Sequence, residues 1–183
     1  MRLKTDRLIL RDIRVEDLDD LISGLNNINV SGRLARVPYP YTIKDAKWWI
    51  SKCEEEAKKK PRTEYNFFIE LTEESRLIGS ADFADVNKFN GTATLGYWLN
   101  QNYWRRGIMQ EAVTRVIDYG FNSIKLRRIN VSAFVDNDGS NGLIKKLGFN
   151  YEGMRKAFHR SMSDGKLHDE NIYGLLKKDW KRK

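Results

Sequence analysis

The stretch Tyr103–Ala112 constrains this chain more than any other, because it joins a strand-like run to a helix through a turn at Gly107. The preceding run, Ala93–Leu99, has the pattern of a strand. A strand, a glycine turn and a helix N-terminus leave unpaired N–H groups at the positive end of a helix dipole. Arg105 and Arg106 add formal charge at this turn. The pattern predicts a binding site for a phosphate-bearing ligand.

Periodic apolar residues elsewhere predict one strand, two helices, three strands, a helix, a strand, a helix and a final strand pair. The segment Val15–Asn27 and a second segment capped by Thr42 both show helical spacing. Turn residues at Glu73–Glu74 and Asn90–Gly91 separate three strands that we expect to form hairpins. This order favours a single α/β (α+β) domain over residues 1–183, with a mixed sheet.

Composition excludes several classes of protein. The chain has 183 residues, a formal net charge of +8 and one cysteine, Cys53, so no internal disulfide or cysteine-based metal site can form. The positive charge favours anionic partners such as nucleotide phosphates. Because His159 and His168 are the only histidines, we expect no metal centre. The N-terminal residues lack an apolar signal-peptide core and no apolar run is long enough for a bilayer, so we expect a cytoplasmic protein without a membrane partner.

Four motifs follow one another along the chain. They are Leu8–Arg11 before an acidic helix, Gly96–Leu99 leading into Tyr103–Ala112, Asn137-x-x-Ser140 with Lys146–Phe149 and Glu152–Arg155, and Asp164–Asp169 with Tyr173–Leu176 and Asp179–Trp180. This ordered set resembles the GNAT acetyltransferase superfamily and, within it, the RimJ/RimL type that acetylates ribosomal proteins. The resemblance implies a GNAT fold, with a central, mixed but mostly antiparallel sheet of about seven strands and about four flanking helices. Its fourth and fifth strands would splay apart to form the acetyl-CoA cleft.

The resemblance also implies how the acetyl donor is held. The pyrophosphate of acetyl-CoA would lie on the Gly107 turn, the pantetheine arm along the backbone near Trp98, and the sulfur near Ser140. The residues implied in cofactor binding are Trp98, Leu99, Asn100, Arg105, Arg106, Gly107, Ile108, Met109, Asn137, Ser140 and Lys146. The acceptor amine would attack the thioester carbonyl directly in a ternary complex, with a backbone N–H stabilising the oxyanion.

Three positions depart from the family's pattern. Met109 stands where glycine or alanine is usual, and its larger side chain leaves less room for a phosphate to approach closely. Ile144 stands where many relatives carry a tyrosine that protonates the leaving thiolate. Thr94 stands where a glutamate base is often found. Two of the usual catalytic positions therefore hold residues that cannot do the proton chemistry.

Other residues must then supply the acid and the base. We predict that Ser140 is the acid toward the thiolate and that His159 is the base. Asp82, Asp85 and Glu70 are further candidates for the base. An α-amine, with a pKa of about 7.7–8.0, needs less help to become neutral than a lysine amine near about 10.4. The N-terminal α-amine of a protein, as in ribosomal-protein alanine or serine acetylation, is therefore the favoured acceptor.

Other functions stay open at this point. The same fold could acetylate a polyamine, an aminoglycoside or another small amine, although a net charge of +8 repels polycations. Basic clusters at Lys58–Arg62, Arg127–Arg128 and Lys177–Lys183 are compatible with a nucleic-acid-binding module or with ribosome association. A non-catalytic protein that binds coenzyme A is a third alternative. The resemblance also allows a homodimer, since some relatives build sites across one.

Overall fold

A computed structural model describes residues 1–181, so the last two residues of the basic segment Lys177–Lys183 lie outside the described residues. Over the described range the strands are β1 (Arg2–Lys4), β2 (Leu8–Arg11), β3 (Tyr65–Leu71), β4 (Arg76–Asn87), β5 (Thr92–Leu99), β6 (Arg128–Phe134), β7 (Asn150–Arg160) and β8 (Leu167–Leu176). They form one sheet in the order β1-β2-β3-β4-β5-β6-β8-β7. Neighbouring strands are antiparallel except β5 and β6, which run parallel.

Helices cover both faces of this sheet. They are α1 (Leu18–Leu25), α2 (Ile28–Ser31), α3 (Ile43–Lys58), α4 (Ile108–Tyr119) and α5 (Asp138–Lys146). Helices α1 and α3 bury apolar residues such as Leu21 and Ile50 against one face, which we call the α3 face. Helices α4 and α5 bury residues such as Val113 and Ile144 against the other, the α4 face. Each fully buried side chain of this kind contributes about 1.5–3 kcal/mol relative to leaving it in water.

The expected α/β architecture is confirmed, with eight strands instead of about seven. The N-terminal strand is divided in two, because the chain turns back between Thr5 and Leu8, where the Thr5 N–H donates to the Leu8 carbonyl at 3.0 Å. The additional helix is the four-residue α2, which starts where the side chain of Asn27 accepts from the Asn29 N–H at 3.0 Å. Within residues 1–181 none of the helices is both long and apolar enough to cross a membrane.

Strands β5 and β6 separate after a short paired stretch. Their last paired residues are Leu95 and Val131, although β5 continues beside β4 as far as Leu99 and β6 continues beside β8 as far as Phe134. We call this gap the β5–β6 opening. Because each strand keeps its outer neighbour, the sheet stays intact while the inner strand edges are left free to pair with another molecule. The expected splayed strand pair is therefore confirmed.

Candidate active site

The Gly107 turn lies at the start of α4, as predicted. Gly107 is the residue before the helix and has a φ of 73°, in the left-handed region that glycine adopts without strain. Arg105 also has a positive φ, of 61°. The side chains of Ile108 and Met109 are buried in the core, so at these positions only the backbone can face a ligand. The first N–H groups of the twelve-residue helix α4 thus remain available for an anion.

Arg7 joins this turn from the far end of the chain. Its Nη1 donates to the carbonyl of Arg106 at 3.1 Å, and its guanidinium forms an ion pair with Glu111 at 2.7 Å. Thr5 donates to the same glutamate at 2.6 Å. Although burial acts to raise the pKa of Glu111, the hydrogen bonds from Thr5 and Arg7 lower it overall. Arg7 thus offsets the charge of Glu111, the acidic residue in the first turn of α4, and nothing in the sequence indicates this contact.

The three residues predicted beside the pantetheine arm lie on the edge of the β5–β6 opening. The Trp98 ring is buried on the α3 face, where a Cβ on Gly24 would come within 2.6 Å of it. The carbonyl of Leu99 accepts from the Trp104 indole at 2.8 Å. The Asn100 side chain accepts from the Asn102 N–H at 3.1 Å. These groups hold the edge in place, and its backbone past Leu95 faces the opening.

Helix α5 carries the other predicted donor-site residues. The Asn137 side chain caps this helix by accepting from the Ser140 N–H at 3.2 Å. The same cap brings Ser140 to the first turn, beside the opening. Lys146 is exposed at the other end of α5, about 9 Å along the helix axis from Ser140. The structure therefore brings Asn137 and Ser140 together and leaves Lys146 apart from them.

Tyr97 reaches Ser140 from the opposite side of the opening. Its hydroxyl lies 2.6 Å from the Ser140 Oγ, and either oxygen can be the donor. Burial raises the pKa of Tyr97 to about 12, against a smaller opposite effect of the Ser140 hydrogen bond. The phenol is therefore neutral at physiological pH. The sequence shows Tyr97 only as one of several aromatic residues, so nothing in it revealed this contact.

Asn141 fixes the position of this part of α5. Its Nδ2 donates to the carbonyls of Phe134 and Asn137, both at 2.9 Å, and its Oδ1 accepts from Asn171 at 3.1 Å and from the Tyr173 hydroxyl at 2.7 Å. Asn141 is buried, and this network satisfies it on every side. The neighbouring Ser140 is thereby tied to both β6 and β8.

Asp82 lies on the α3 face at the level where the opening begins. It pairs in register with Gly96, the residue after the last β5–β6 pair. A Cβ on Gly96 would come within 2.7 Å of the Asp82 Oδ1, so the carboxylate lies directly over the β5 backbone. No side-chain hydrogen bond to this carboxylate exists in the described part of the chain. Burial raises the pKa of Asp82 to about 6, with Glu64 acting in the same direction and Lys52 against it.

His159, the predicted base, lies on the β7–β8 hairpin. Its Nε2 is 3.3 Å from Glu170 Oε1, and Arg155 forms an ion pair with the other oxygen of the same buried glutamate at 2.5 Å. Strand β8 separates the strand that carries His159 from β6. His168, on the next strand, stacks on Phe134 with ring centroids 4.3 Å apart. His159 is thus clustered with Arg155 and Glu170 on the β7–β8 hairpin.

The remaining candidates for the base have other surroundings. Glu70 accepts from the buried Arg11 at 2.5 Å, and Arg11 also pairs with Asp17 at 2.7 Å, so this carboxylate belongs to an ion network beside β2. Asp85 is exposed in the irregular part of β4, between the residues that pair with Thr94 and Thr92 of β5. Among the described residues no group of three or more His, Cys, Asp or Glu side chains is arranged to hold a metal ion.

Comparison with known proteins shows that this chain is similar to acetyltransferases in both sequence and fold. The family described as acetyltransferase (GNAT) domain matches residues 7–150. An uncharacterized N-acetyltransferase of Bacillus licheniformis is 30% identical over 178 residues, which cover 97% of each chain. The ribosomal-protein-serine acetyltransferase of Escherichia coli is 36% identical over 106 residues, or 58% of each chain. The solved structure of spermidine N-acetyltransferase from Vibrio cholerae with CoA and spermine shares the fold, with a TM-score of 0.80 at 20% identity over 96% of this chain and 98% of the other.

Proposed function

This chain belongs to the GNAT acetyltransferase family, and within that family we propose that it transfers the acetyl group of acetyl-CoA to the N-terminal α-amine of a protein, as RimJ/RimL-type enzymes do. The observation that carries the proposal is the position of the β5–β6 opening directly beside the N-terminus of α4. One element can hold a pyrophosphate, and the other can pair with an extended pantetheine arm.

The donor site rests on three groups of residues. The Gly107 turn, with Arg105 and Arg106, supplies N–H donors and positive charge for the phosphates, and Arg7 braces the turn while it offsets Glu111. The inner edge of β5 from Trp98 to Asn100 supplies backbone groups for the amides of the arm. Asn137 and Ser140 then close the opening from the side of α5. Lys146 is exposed at the opposite end of α5 from Ser140, and we assign it a contact with the outer part of the cofactor.

The acceptor would approach from the α3 face. There the segment between α2 and α3 contacts the β7–β8 turn, because the Met162 N–H donates to the Ala35 carbonyl at 3.0 Å. In the proposed complex, this contact would bound one side of the acceptor approach. Partial identity to a ribosomal-protein-serine acetyltransferase supports a protein N-terminus. An α-amine also requires only a modest base, which suits a chain with Thr94 at the family's usual glutamate position.

The proposed chemistry is direct transfer of the acetyl group from the thioester to an acceptor amine that approaches from the α3 face. Ser140 is proposed to protonate the departing thiolate, since its hydroxyl lies at the opening and is held by Tyr97. His159, which the sequence predicted as the base, has its Nε2 3.3 Å from Glu170 Oε1 on the β7–β8 hairpin. A backbone N–H of β5 would stabilise the oxyanion, because this strand edge is free beyond Leu95.

A small cationic amine is the second candidate acceptor. Two carboxylates, those of Asp82 and Glu170, lie on the α3 face, and negative groups on this side would attract an ammonium ion despite the net positive charge of the chain. Ribosome association and a homodimer are compatible with either acceptor and are not needed for the chemistry.

The test is release of coenzyme A from acetyl-CoA in the presence of peptides with different N-termini, polyamines and aminoglycosides, followed by mass-spectrometric mapping of the acetylated nitrogen. We expect turnover with N-terminal peptides and acetylation of the α-nitrogen. Turnover only with polyamines or aminoglycosides would show that the acceptor is a small amine, and the enzyme class would stay the same. Failure to bind acetyl-CoA in calorimetry would overturn the donor site itself.

A further inference from the structure

Adjacent residues of β5 present different groups to the two sides of the opening. Tyr97 points to the α4 face, where its hydroxyl meets Ser140. Gly96 has no side chain on the α3 face. The carboxylate of Asp82 occupies the space that a side chain at this position would fill. A proton donor and a carboxylate therefore flank the same short segment of β5 from opposite faces. This is the arrangement that an amine attacking from one side of a thioester and a thiolate leaving on the other would need.

We propose that Asp82 is the general base that takes the proton from the acceptor ammonium group, directly or through one water molecule. This role rests on the proposed function, since it concerns the same acetyl transfer. Asp82 is on β4, the immediate neighbour of β5 at the opening, whereas the strand of His159 is separated from β6 by β8. The Nε2 of His159 also faces Glu170 and not the opening.

The surroundings of Asp82 suit this role. Lys52 and Cys53 face it from α3, Glu64 from the segment before β3, and Asn66 lies opposite it in register on β3. Lys52 is 3.6 Å from Glu64, so its charge is shared between two carboxylates. The Cys53 thiol is uncharged, because burial raises its pKa to about 12. The raised pKa of Asp82 makes it a stronger base than an exposed aspartate while it stays mostly ionised at neutral pH.

The proton balance of the step is complete. The ammonium group of the acceptor loses one proton to the Asp82 carboxylate, and the neutral nitrogen forms a bond to the thioester carbonyl carbon. When the tetrahedral intermediate collapses, the carbon–sulfur bond breaks and the thiolate takes the Ser140 hydroxyl proton. A second proton leaves the nitrogen and returns to the Ser140 oxygen, so the hydroxyl is formed again. Asp82 then releases its proton to water. The net reaction is formation of an amide and coenzyme A thiol with release of one proton.

The experiment compares Asp82→Asn, His159→Gln and a control, Asp19→Asn, whose aspartate is exposed on α1. The turnover rate is measured from about pH 5 to about pH 9 with the best acceptor of the wild-type enzyme, and acetyl-CoA affinity is measured by calorimetry. We expect D82N to lose about a hundredfold or more of kcat/KM and the acid limb of the pH profile, while acetyl-CoA affinity is retained. The control should keep both. Glu64→Gln should move the acid limb of the active enzyme to lower pH, because it removes a negative charge that raises the pKa of Asp82.

A second variant guards against misfolding. Asp82→Ala leaves room for a small carboxylate, so added formate should restore part of its activity, which a purely structural role would not allow. Loss of the acid limb in H159Q with a normal profile in D82N would overturn the proposal and support His159. An active wild type with unchanged D82N would overturn the role of Asp82 alone, whereas a wild type inactive on every amine would overturn the proposed function with it.

Discussion

The hydroxyl of Tyr97 lies 2.6 Å from the Oγ of Ser140 and joins β5 to α5 across the β5–β6 opening. If Tyr97 donates this hydrogen bond, the Ser140 proton is free to point at the sulfur of the bound thioester. The family's tyrosine position is taken by Ile144, which is fully buried in the core. Tyr97 therefore brings a phenol to Ser140 from strand β5, whereas the family's tyrosine position lies on helix α5.

This relationship predicts the effect of Tyr97→Phe. We expect kcat to fall about tenfold, the loss of one hydrogen bond in the transition state, with acetyl-CoA affinity unchanged. Ser140→Ala should lower kcat further, and adding Y97F to S140A should have no additional effect, because the two groups act as one unit. Steady-state kinetics of the three variants measure this. Tyr151→Phe, at an exposed tyrosine of β7, is the control and should behave as wild type. Independent, additive losses would contradict the proposed orientation.

Gly107→Ala tests the turn that begins α4. A side chain at a φ of 73° costs about 1–2 kcal/mol, so we expect a lower free energy of unfolding and weaker acetyl-CoA binding. Gly142→Ala is a matched control, because Gly142 is within α5 and a Cβ there meets no atom within 4 Å. It should stabilise the protein by about 0.5–1 kcal/mol. Urea denaturation measures the free energy of unfolding of both variants, and calorimetry measures their acetyl-CoA affinity. Equal values for the two variants would contradict the role of the turn.

Arg7→Gln tests whether a residue distant in sequence supports the proposed phosphate site at the Gly107 turn. The variant removes a positive charge and the hydrogen bond to the Arg106 carbonyl, and it leaves Glu111 without its ion-pair partner. We expect acetyl-CoA to bind about tenfold more weakly at low salt, with a smaller difference at high salt. Adding Glu111→Gln should recover part of the loss. Arg2→Gln, at an exposed arginine of β1, should have no comparable effect.

The raised pKa of Asp82 predicts that the free energy of unfolding depends on pH. Its pKa of about 6 in the folded protein lies above the ordinary value, so the folded state binds the proton more tightly than the unfolded state. The free energy of unfolding is therefore reduced by this group as the pH rises from about 4 through about 6. Asp82→Asn should be more stable than wild type by up to about 3 kcal/mol near pH 7, and the difference should vanish below about pH 4. Urea titrations at both pH values measure it, and a difference that grows at low pH would contradict the assignment.

Local features of the proposed donor site were predictable from the sequence. The turn at Gly107, the apolar period of α4 and the cap at Asn137 each depend on a few neighbouring residues. The splayed strands followed from the resemblance and are confirmed by the register of β5 with β6. The division of the N-terminal strand was missed, because it depends on a tight turn between Thr5 and Leu8 that carries no glycine or proline signal.

The sequence by itself determined the fold class and the glycine turn before α4, since backbone conformation, apolar periodicity and helix capping are set within a few residues. Only the tertiary structure decided which side chains meet at the opening. Tyr97 and Ser140 are 43 residues apart, and Arg7 and Glu111 are 104 apart. Asp82 reaches Gly96 only because β4 and β5 pair in one register, and a slip of one residue would turn its side chain to the other face of the sheet.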